Sequence, residues 1–411
     1  MRLLVLNDVG FLGGAGIATR RQVQSLLMLG HEVMVLCHDP LQPHAAILEP
    51  AEAWPGRWLG LQTLPQTHRS SGIPIEVSTQ RICAAVASAY PEAIILGNIH
   101  GAGWSSALLL ELRRLRVPII AYLHDLHFAT GRCTHPYACD LHLTGCHAAC
   151  PTASEYPPLD PQLIHGEWEL RRRIFCGPGA AHAACNSTWT QQMFLRSLPQ
   201  AASVSVLHLG LDADVFRPSD RSAARHALGI PQDKFVVLAA AMKFNDPHKG
   251  GPIFEALVRK LAGKMHFIAL GGGADSVPVD QSIPPSQDAA FLAQLYAAAD
   301  VFVSTSTAES FGQTLLEAAA CARPVVSLKT GGIPDVMRHG ETGLLVEAGT
   351  GTMEEVAASL SAYLQQYQAQ PALAEAHGRA ARQRVEASFT LEAQAQNWAQ
   401  LLATVRDRFG L

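Results

Sequence analysis

The sequence predicts an α/β protein with two doubly wound, Rossmann-like domains. Its 411 residues are enough to build two full hydrophobic cores. The hydrophobic content of 48% and the charged content of 16% are typical of globular proteins with buried strands. In both halves, short apolar runs are followed by glycine- or serine-rich loops and then by helical patterns. This alternation predicts parallel sheets flanked by helices.

Composition and charge argue against several functional classes. A formal net charge of −4 disfavours nucleic acid as a partner. No apolar run approaches the roughly 18–20 residues that span a bilayer. The first seven residues are too short for a signal peptide and read as a strand. The odd number of cysteines, nine, together with the lack of a predicted signal peptide, predicts a protein of the reducing cytoplasm.

The first domain opens with a strand over residues 3–6, a glycine-rich loop and a helix. Gly13, Gly14 and Gly16 lie at the helix start, where backbone commonly approaches a pyrophosphate. A tight turn without a ligand is the structural alternative. The loop also nearly matches the dinucleotide fingerprint, with Asp39 at about the right distance. A nicotinamide-binding domain therefore stays open at this end of the chain.

Two further strands are predicted at residues 93–96 and 118–123, each followed by a polar loop. His100 follows the first strand, and His124 and Asp125 follow the second. Ligands of doubly wound sheets bind at the carboxyl edge of the strands, so these side chains are expected to point into one crevice. Taken singly, each histidine is equally well explained as a polar loop residue.

Three stretches depart from a plain doubly wound domain. Residues 40–75 show no periodicity and predict an irregular insertion. A basic helix over residues 167–175, with the arginines around 113–116, is compatible with anionic lipid, although a solvated face is commoner. Residues 127–150 hold four cysteines, and in a reducing compartment these favour a thiolate metal site, zinc foremost, over disulfides or free thiols. The four are Cys133, Cys139, Cys146 and Cys150.

The second domain is predicted to follow a linker at residues 208–218. It starts with a strand over 235–241, a loop that contains Lys249, and a helix from Gly251. A further strand is predicted over residues 266–270, and helices follow the central motif described next.

The central motif reads as a strand over residues 301–303, a Ser/Thr-rich turn and a helix. Ser310 is predicted to be the N-cap, with Gln313 completing a capping box. The backbone amides of residues 311–313 (Phe311, Gly312, Gln313) would then face outward at the helix N-terminus, where the dipole favours phosphate. Ser310, Gln313 and Glu317 fall on one polar stripe. The alternative is a purely structural role, in which Glu317 is solvated on an amphipathic helix and Glu309 only complements the helix dipole.

The stretch Ala308-Glu-Ser-Phe-Gly-Gln-Thr-Leu-Leu-Glu-Ala318 resembles the signature of retaining family 4 glycosyltransferases of the GT-B architecture. The similarity continues in order through residues 323–327, 331–336 and 340–346. The resemblance implies that Glu309 contacts the donor sugar and that Glu317 holds the ribose hydroxyls. Carboxylates suit both roles because they accept strong hydrogen bonds from paired hydroxyls.

The same resemblance implies roles for residues outside the central motif. The glycine loop would lie beneath the donor diphosphate, and His124 would lie beside the donor sugar and the acceptor. Lys249 would grip the phosphates, because the leaving diphosphate gains charge as the glycosidic bond breaks. The family's second cation, an arginine, is missing, which leaves Lys243 or His248 as candidates. His100 and Asp125 are weaker candidates on the acceptor side.

The Cys-rich stretch resembles an insertion in a branch of exopolysaccharide and O-antigen sugar transferases. A metal there would be structural, since GT-B transferases normally need no divalent ion, and no cofactor is expected for catalysis. The implied partners are a nucleotide-sugar donor and a glycan or lipid-linked acceptor. The implied location is the cytoplasm, with peripheral contact at the inner face of the membrane.

The resemblance thus implies a GT-B fold with domains at 1–207 and 208–389 facing across a cleft, and a last helix, 390–411, that packs back onto the first. It implies sugar transfer with retained anomeric configuration. A sugar-nucleotide epimerase or phosphorylase shares the architecture and is the main alternative. A nicotinamide oxidoreductase and a catalytically silent partner subunit are weaker ones.

Overall fold

Two parallel β-sheets organise the protein in a computed structural model that describes residues 1–8, 10–38, 54–64, 75–349 and 351–410. The chain divides into two compact units. The first comprises Met1–Gly210 with Leu391–Leu411, and the second comprises Leu211–Thr390. Each unit has its own sheet and its own apolar core, which confirms the predicted α/β class with two Rossmann-like domains.

The first sheet has seven parallel strands in the order β3-β2-β1-β4-β5-β6-β7. The strands are β1 Arg2–Leu6, β2 Glu32–Cys37, β3 Arg57–Thr63, β4 Ala93–Leu96, β5 Ile119–Leu123, β6 His182–Cys185 and β7 Val204–Val206. The helices are Gly13–Met28, Ile75–Ser88, Ala107–Leu112, Leu141–Thr144, Ile164–Phe175, Thr188–Ser197 and Leu391–Phe409. Strands β4, β5 and β6 are buried throughout because helices cover both faces of a parallel sheet.

The strand order reverses between β1 and β4, so the loops after these strands border the switch point where doubly wound sheets bind ligands. The last helix is tied into this unit by Ser25, whose hydroxyl lies 3.0 Å from the Leu391 carbonyl oxygen and 3.0 Å from Oε1 of Gln394. The indole of Trp398 is fully buried beside Tyr122.

The prediction of an irregular segment over residues 40–75 was wrong where the structure describes it. Arg57–Thr63 forms edge strand β3, and a helix begins at Ile75. The register between β2 and β3 shifts after Val33, and this irregularity interrupts the period-two pattern by which a strand is recognised. Asp39, part of the dinucleotide alternative, lies outside the described residues.

The second sheet has six parallel strands in the order β10-β9-β8-β11-β12-β13. The strands are β8 Val236–Lys243, β9 His266–Gly272, β10 Gln281–Ile283, β11 Val301–Ser304, β12 Val325–Lys329 and β13 Gly343–Glu347. The helices are Arg221–Leu228, Gly251–Leu261, Ala289–Ala298, Gln313–Ala320, Ile333–Val336, Met353–Ala369 and Pro371–Ser388. The switch point of this sheet lies between β8 and β11.

Candidate functional site

Two loops meet at the switch point of the second sheet. A 3-10 turn, Pro247–Lys249, follows β8, and the Ser/Thr-rich turn follows β11. The Thr305 hydroxyl donates to the Lys249 carbonyl at 3.0 Å, and the Thr307 amide donates to the His248 carbonyl at 2.9 Å. Gly250 has a φ of 63°, and a Cβ atom there would lie 2.0 Å from the Thr305 carbonyl oxygen. Glycine is therefore required for the loops to approach this closely.

The approach of these loops brings Lys249 and Glu309 into contact. Lys249 Nζ donates to Glu309 Oε2 at 2.9 Å, and the side chains are 25% and 19% exposed. The Glu309 carboxylate raises the pKa of Lys249, so the ammonium stays charged at neutral pH. The cation predicted for the phosphates and the carboxylate predicted for the donor sugar thus form one ion pair at the carboxyl edge of the sheet.

A third loop, after β12, closes on the same motif. The Gly332 amide donates to the Glu309 carbonyl at 2.9 Å, and the Thr330 hydroxyl donates to the Thr307 carbonyl at 3.1 Å. Gly331 adopts a φ of 52°, and a Cβ atom there would lie 1.8 Å from the Glu309 carbonyl oxygen. Gly331 is thus required for this loop to hold the backbone of Glu309 in place.

The predicted capping box at Ser310 and Gln313 was wrong. The helix begins at Gln313, its N-cap is Gly312, and no side chain caps it. Gly312 has a φ of 104°, a left-handed conformation that glycine adopts without a steric penalty, and the turn places Ser310 two residues before the cap. Phe311 and Gly312 thus precede the helix, and Gln313 is its first residue.

Glu317, in the middle of that helix, is buried rather than solvated, with 6% of its surface exposed. The buried Tyr296 hydroxyl donates to Glu317 Oε2 at 3.0 Å. This bond orients the carboxylate from within the unit. Tyr296 was missed by the sequence analysis, because its only signal is membership of the apolar helical pattern over Ala289–Ala298.

The two candidates for the second cation differ in their surroundings. His248 is half-buried, and burial, followed by the charge of Lys249, lowers its pKa. His248 is therefore neutral at pH 7. Lys243 is exposed at the end of β8. Of the two, only Lys243 supplies a positive charge, and its role in phosphate binding stays a prediction.

The predicted glycine loop of the first unit lies at the start of Gly13–Met28. Gly13 has a φ of 65°. A Cβ atom on Gly16 would lie 2.4 Å from the Phe11 carbonyl carbon, so the loop packs directly on the helix. Close packing accounts for Gly16, and the proposed contact of Gly13, Gly14 and Gly16 with a diphosphate stays a prediction.

His100 and Asp125 come together at the carboxyl edge of the first sheet, on the loops after β4 and β5. His100 Nε2 lies 3.0 Å from Asp125 Oδ2, and His100 Nδ1 lies 3.1 Å from the Tyr156 hydroxyl. Burial acts to lower the pKa of His100, but the Asp125 carboxylate has the larger effect, so the pKa is raised overall. Burial likewise opposes ionisation of Asp125, yet its pKa is lowered overall by His100.

His124 lies next to this pair but differs from His100 in charge. Burial lowers the pKa of His124 to about 4, so the ring is neutral at pH 7. Its Nε2 atom is buried and has no hydrogen-bond partner among the described residues. Its ring lies 4.9 Å from that of Tyr122, and its carbonyl accepts from Asn186 Nδ2 at 3.0 Å. A neutral ring nitrogen of this kind is suited to a hydroxyl group.

A cavity of about 690 Å³ opens beside His100 within the first unit. Its wall combines polar groups with prolines and an indole. The lining includes His100, Trp104, Arg132, Pro158, Leu159 and Glu167. Nε1 of Trp104 and Nε of Arg132 are buried and have no acceptor among the described residues. No sequence motif marks Trp104 or Arg132.

The basic helix does not present all its arginines to a surface. Arg171 is buried and donates to the carbonyl oxygens of His127 and Thr130 at 2.7 and 2.9 Å, and to Glu167 at 3.3 Å. It is therefore a structural group, which corrects the suggestion that it contacts lipid. None of the helices that the structure describes is both long and apolar enough to cross a membrane.

The four cysteines of the insertion lie near one another without forming a metal site. Burial raises the pKa of Cys133, and it raises that of Cys146 to about 11, so both thiols are protonated at pH 7. Cys139 and Cys150 lie close enough to interact electrostatically with both of them. Within the described ranges, no three potential ligands are arranged to hold a metal ion. The present side-chain arrangement does not fit the predicted zinc, which rests on the cysteine spacing alone.

Comparison with known proteins finds sequence similarity to glycosyltransferases over part of the chain. Residues 253–366 match the family described as glycosyl transferases group 1. The D-inositol 3-phosphate glycosyltransferase of Mycobacterium tuberculosis is 39% identical over 160 residues, which cover 35% of this chain and 33% of that protein. The match therefore spans about a third of the length of this curated relative.

Solved structures resemble the chain over nearly its whole length. Anabaena Alr3699/HepE in complex with UDP-glucose has a TM-score of 0.73 at 19% identity, covering 98% of this chain and 100% of that one. Sucrose-phosphate synthase from Thermosynechococcus elongatus gives 0.71 at 21%, covering 98% and 99%. WaaG, a glycosyltransferase involved in lipopolysaccharide biosynthesis, gives 0.68 at 16%, covering 97% and 99%. At these identities the likeness shows the fold, and it is the GT-B fold.

Proposed function

We propose that this chain, whose residues 253–366 match the glycosyl transferases group 1 and whose fold is GT-B, transfers a sugar from a nucleotide-sugar to an acceptor hydroxyl with retained anomeric configuration. The observation that carries the proposal is the Lys249–Glu309 ion pair at the switch point of the second sheet. UDP-glucose, the ligand of the HepE complex, is the kind of donor we propose.

Each charged group of the second unit suits one part of such a donor. The Lys249 ammonium would stabilise the negative charge that develops on the departing diphosphate. Glu309 would accept hydrogen bonds from the sugar hydroxyls. Lys249 would then interact with both the Glu309 carboxylate and the phosphate. Glu317, held by Tyr296, would accept from the ribose hydroxyls. The start of the helix Gln313–Ala320 would face the phosphates, since its dipole favours an anion.

The first unit would hold the acceptor. Its 690 Å³ cavity combines apolar rings, which suit the C–H faces of a sugar, with a few fixed polar groups that orient it. Polar side chains on its wall, such as His100 and Glu167, would form hydrogen bonds with the hydroxyl groups of a glycan. The neutral His124 would accept or donate a hydrogen bond to the reacting sugar. The acceptor class is a glycan or a lipid-linked sugar of cell-surface polysaccharide synthesis.

The proposal is tested by product analysis with a panel of nucleotide-sugars, each supplied alone and with glycan acceptors. Transfer requires the acceptor and releases a nucleoside diphosphate. Conversion of the donor alone into an epimer or a sugar phosphate would instead support the epimerase or phosphorylase alternative. Glu309→Gln is expected to abolish most of the transfer, whereas Glu347→Gln, which alters an exposed surface carboxylate, should leave it intact.

A further inference from the structure

A second cavity, of about 630 Å³, lies in the second unit at the opposite edge of the sheet from Lys249 and Glu309. Its wall includes Lys234, which precedes β8, Asp300, which directly precedes β11, and Arg323, which precedes β12. These positions mark the amino ends of three neighbouring strands. The proposed donor site lies at the carboxyl ends of the same strands, so the two sites are separated by the length of the sheet.

The wall of this cavity carries more cationic than anionic side chains. The cationic residues are Arg221, Arg225, Lys234, Arg323 and Arg379, and the anionic residues are Asp233, Asp300 and Glu375. Asp300 accepts from both Arg221, at 2.6 Å, and Arg225, at 2.7 Å. It also accepts from the Val236 amide at 2.7 Å. One carboxylate thus serves two guanidinium groups and a backbone amide.

Arg323 lies on the same wall and forms no ion pair with a described residue, although the charge of Asp300 acts on it. Its guanidinium donates to the carbonyl oxygens of Cys321, at 3.0 Å, and Ala299, at 3.1 Å. No carboxylate in the described part of the chain lies within ion-pair distance of it. Burial, followed by the charge of Arg221, lowers the pKa of Arg323. Charges that are partly removed from water are normally paired, so this group favours an anion.

We propose that the cavity lined by Arg221 and Arg323 is a binding site for the phosphoryl group of a soluble phosphate or diphosphate compound. Arg225 contributes charge only, because its buried guanidinium already donates to the carbonyl oxygens of Ala298 and Lys234 and to Asp300. Guanidinium groups suit this chemistry because their planar forks match phosphate oxygens. The volume of about 630 Å³ accommodates a small molecule, and Phe235 and Pro324 on the wall offer apolar surface to its remainder. The site is separate from the proposed donor site and does not depend on the proposed activity.

The test is hydrogen–deuterium exchange of the full chain with increasing inorganic pyrophosphate. Binding in the cavity protects residues 221–236 and 321–325, whereas binding at the donor loops protects residues 247–250 and 307–313. The two sites are therefore read separately in one experiment. Arg323→Gln should weaken protection of the first set about ten-fold or more and leave the second unchanged, and Lys249→Gln should do the reverse. Arg259→Gln, which removes an exposed guanidinium paired with Glu255, is the matched control and should change neither.

Should Arg323→Gln fail to fold, Arg221→Gln removes an exposed member of the same cluster and is expected to weaken the same protection. The same exchange experiment is repeated with vesicles of phosphatidylglycerol, which are anionic, and of phosphatidylcholine in place of pyrophosphate. Protection of residues 221–236 by pyrophosphate supports the proposal. Protection by the anionic vesicles alone, protection confined to the donor loops, or undiminished binding in both cavity variants would overturn it.

Discussion

The ammonium of Lys249 lies 2.9 Å from the carboxylate of Glu309, although sixty positions separate the two residues in sequence. Both groups stand at the carboxyl edge of the second sheet, on the loops that follow β8 and β11. Since the pair is partly exposed, it contributes little to stability. Its consequence is positional, because it holds a cation and a carboxylate side by side before a donor binds.

Lys249→Gln is expected to weaken binding of the cognate nucleoside diphosphate about ten- to a hundred-fold, because hydrogen bonds to charged groups are each worth about 1.5–3 kcal/mol. Stability should change by less than about 1 kcal/mol. Calorimetric titration measures the affinity and urea denaturation the stability. Lys329→Gln, which removes a surface ammonium paired with Glu347, is the control and should bind normally. Equal affinity in both variants would contradict the phosphate role of Lys249.

Glu317→Gln is expected to reduce nucleotide affinity about ten-fold while the fold is kept, because an amide is a weaker acceptor for ribose hydroxyls than a carboxylate. Glu317→Ala should in addition cost about 1–3 kcal/mol of unfolding free energy, since it strands the buried Tyr296 hydroxyl. Tyr296→Phe separates the two effects, because it removes the internal bond and keeps the carboxylate. Calorimetry that finds wild-type affinity in Glu317→Gln would remove the ribose role.

The structure also predicts a pH dependence for the His100–Asp125 pair. The pKa of His100 is raised overall, so its contribution to stability is complete below 6.5 and is lost as pH rises through the folded value. The pKa of Asp125 is lowered overall, so its contribution is complete above 3.8 and is lost as pH falls through the folded value. Asp8 reinforces the charge of His100 and Arg171 opposes it. The pair therefore stabilises the protein most between these two limits.

Asp125→Asn should accordingly lower the free energy of unfolding most near pH 5, by about 1–3 kcal/mol, and less near pH 9. Urea denaturation of wild type and variant at the two pH values provides the measurement. His100→Gln removes the same pair and should show the same trend. A cost that is equal at both pH values would mean that Asp125 acts only through its hydrogen bond to the His127 amide.

Much of the fold could be predicted from sequence because each strand and helix has a local signal. The helix predicted from Gly251 is observed as Gly251–Leu261, and the strand over 118–123 as Ile119–Leu123. Long-range contacts have no such signal. Glu317 was singled out by its motif, but its partner Tyr296 lies in a uniformly apolar helix. The N-cap was misplaced because a left-handed glycine can start a helix without any side-chain cap.

The metal prediction is checked by elemental analysis of the purified protein. The cysteine spacing predicts about one zinc per chain, which would require Cys133, Cys139, Cys146 and Cys150 to turn toward one another as thiolates. Cys146→Ser should then lower both the zinc content and the thermal stability, and Cys83→Ser, outside the cluster, should change neither. A zinc content below about a tenth of an equivalent would refute the prediction.

The proposal that Lys249 and Glu317 bind a nucleotide-sugar is tested by calorimetric titration of the full chain. The ligands are the uridine, guanosine and adenosine diphosphates and their sugar conjugates. We expect that at least one of them binds, that Glu317→Gln and Lys249→Gln weaken the binding, and that Lys329→Gln leaves it intact. Absence of binding across the panel, or binding that both site variants retain, would contradict it.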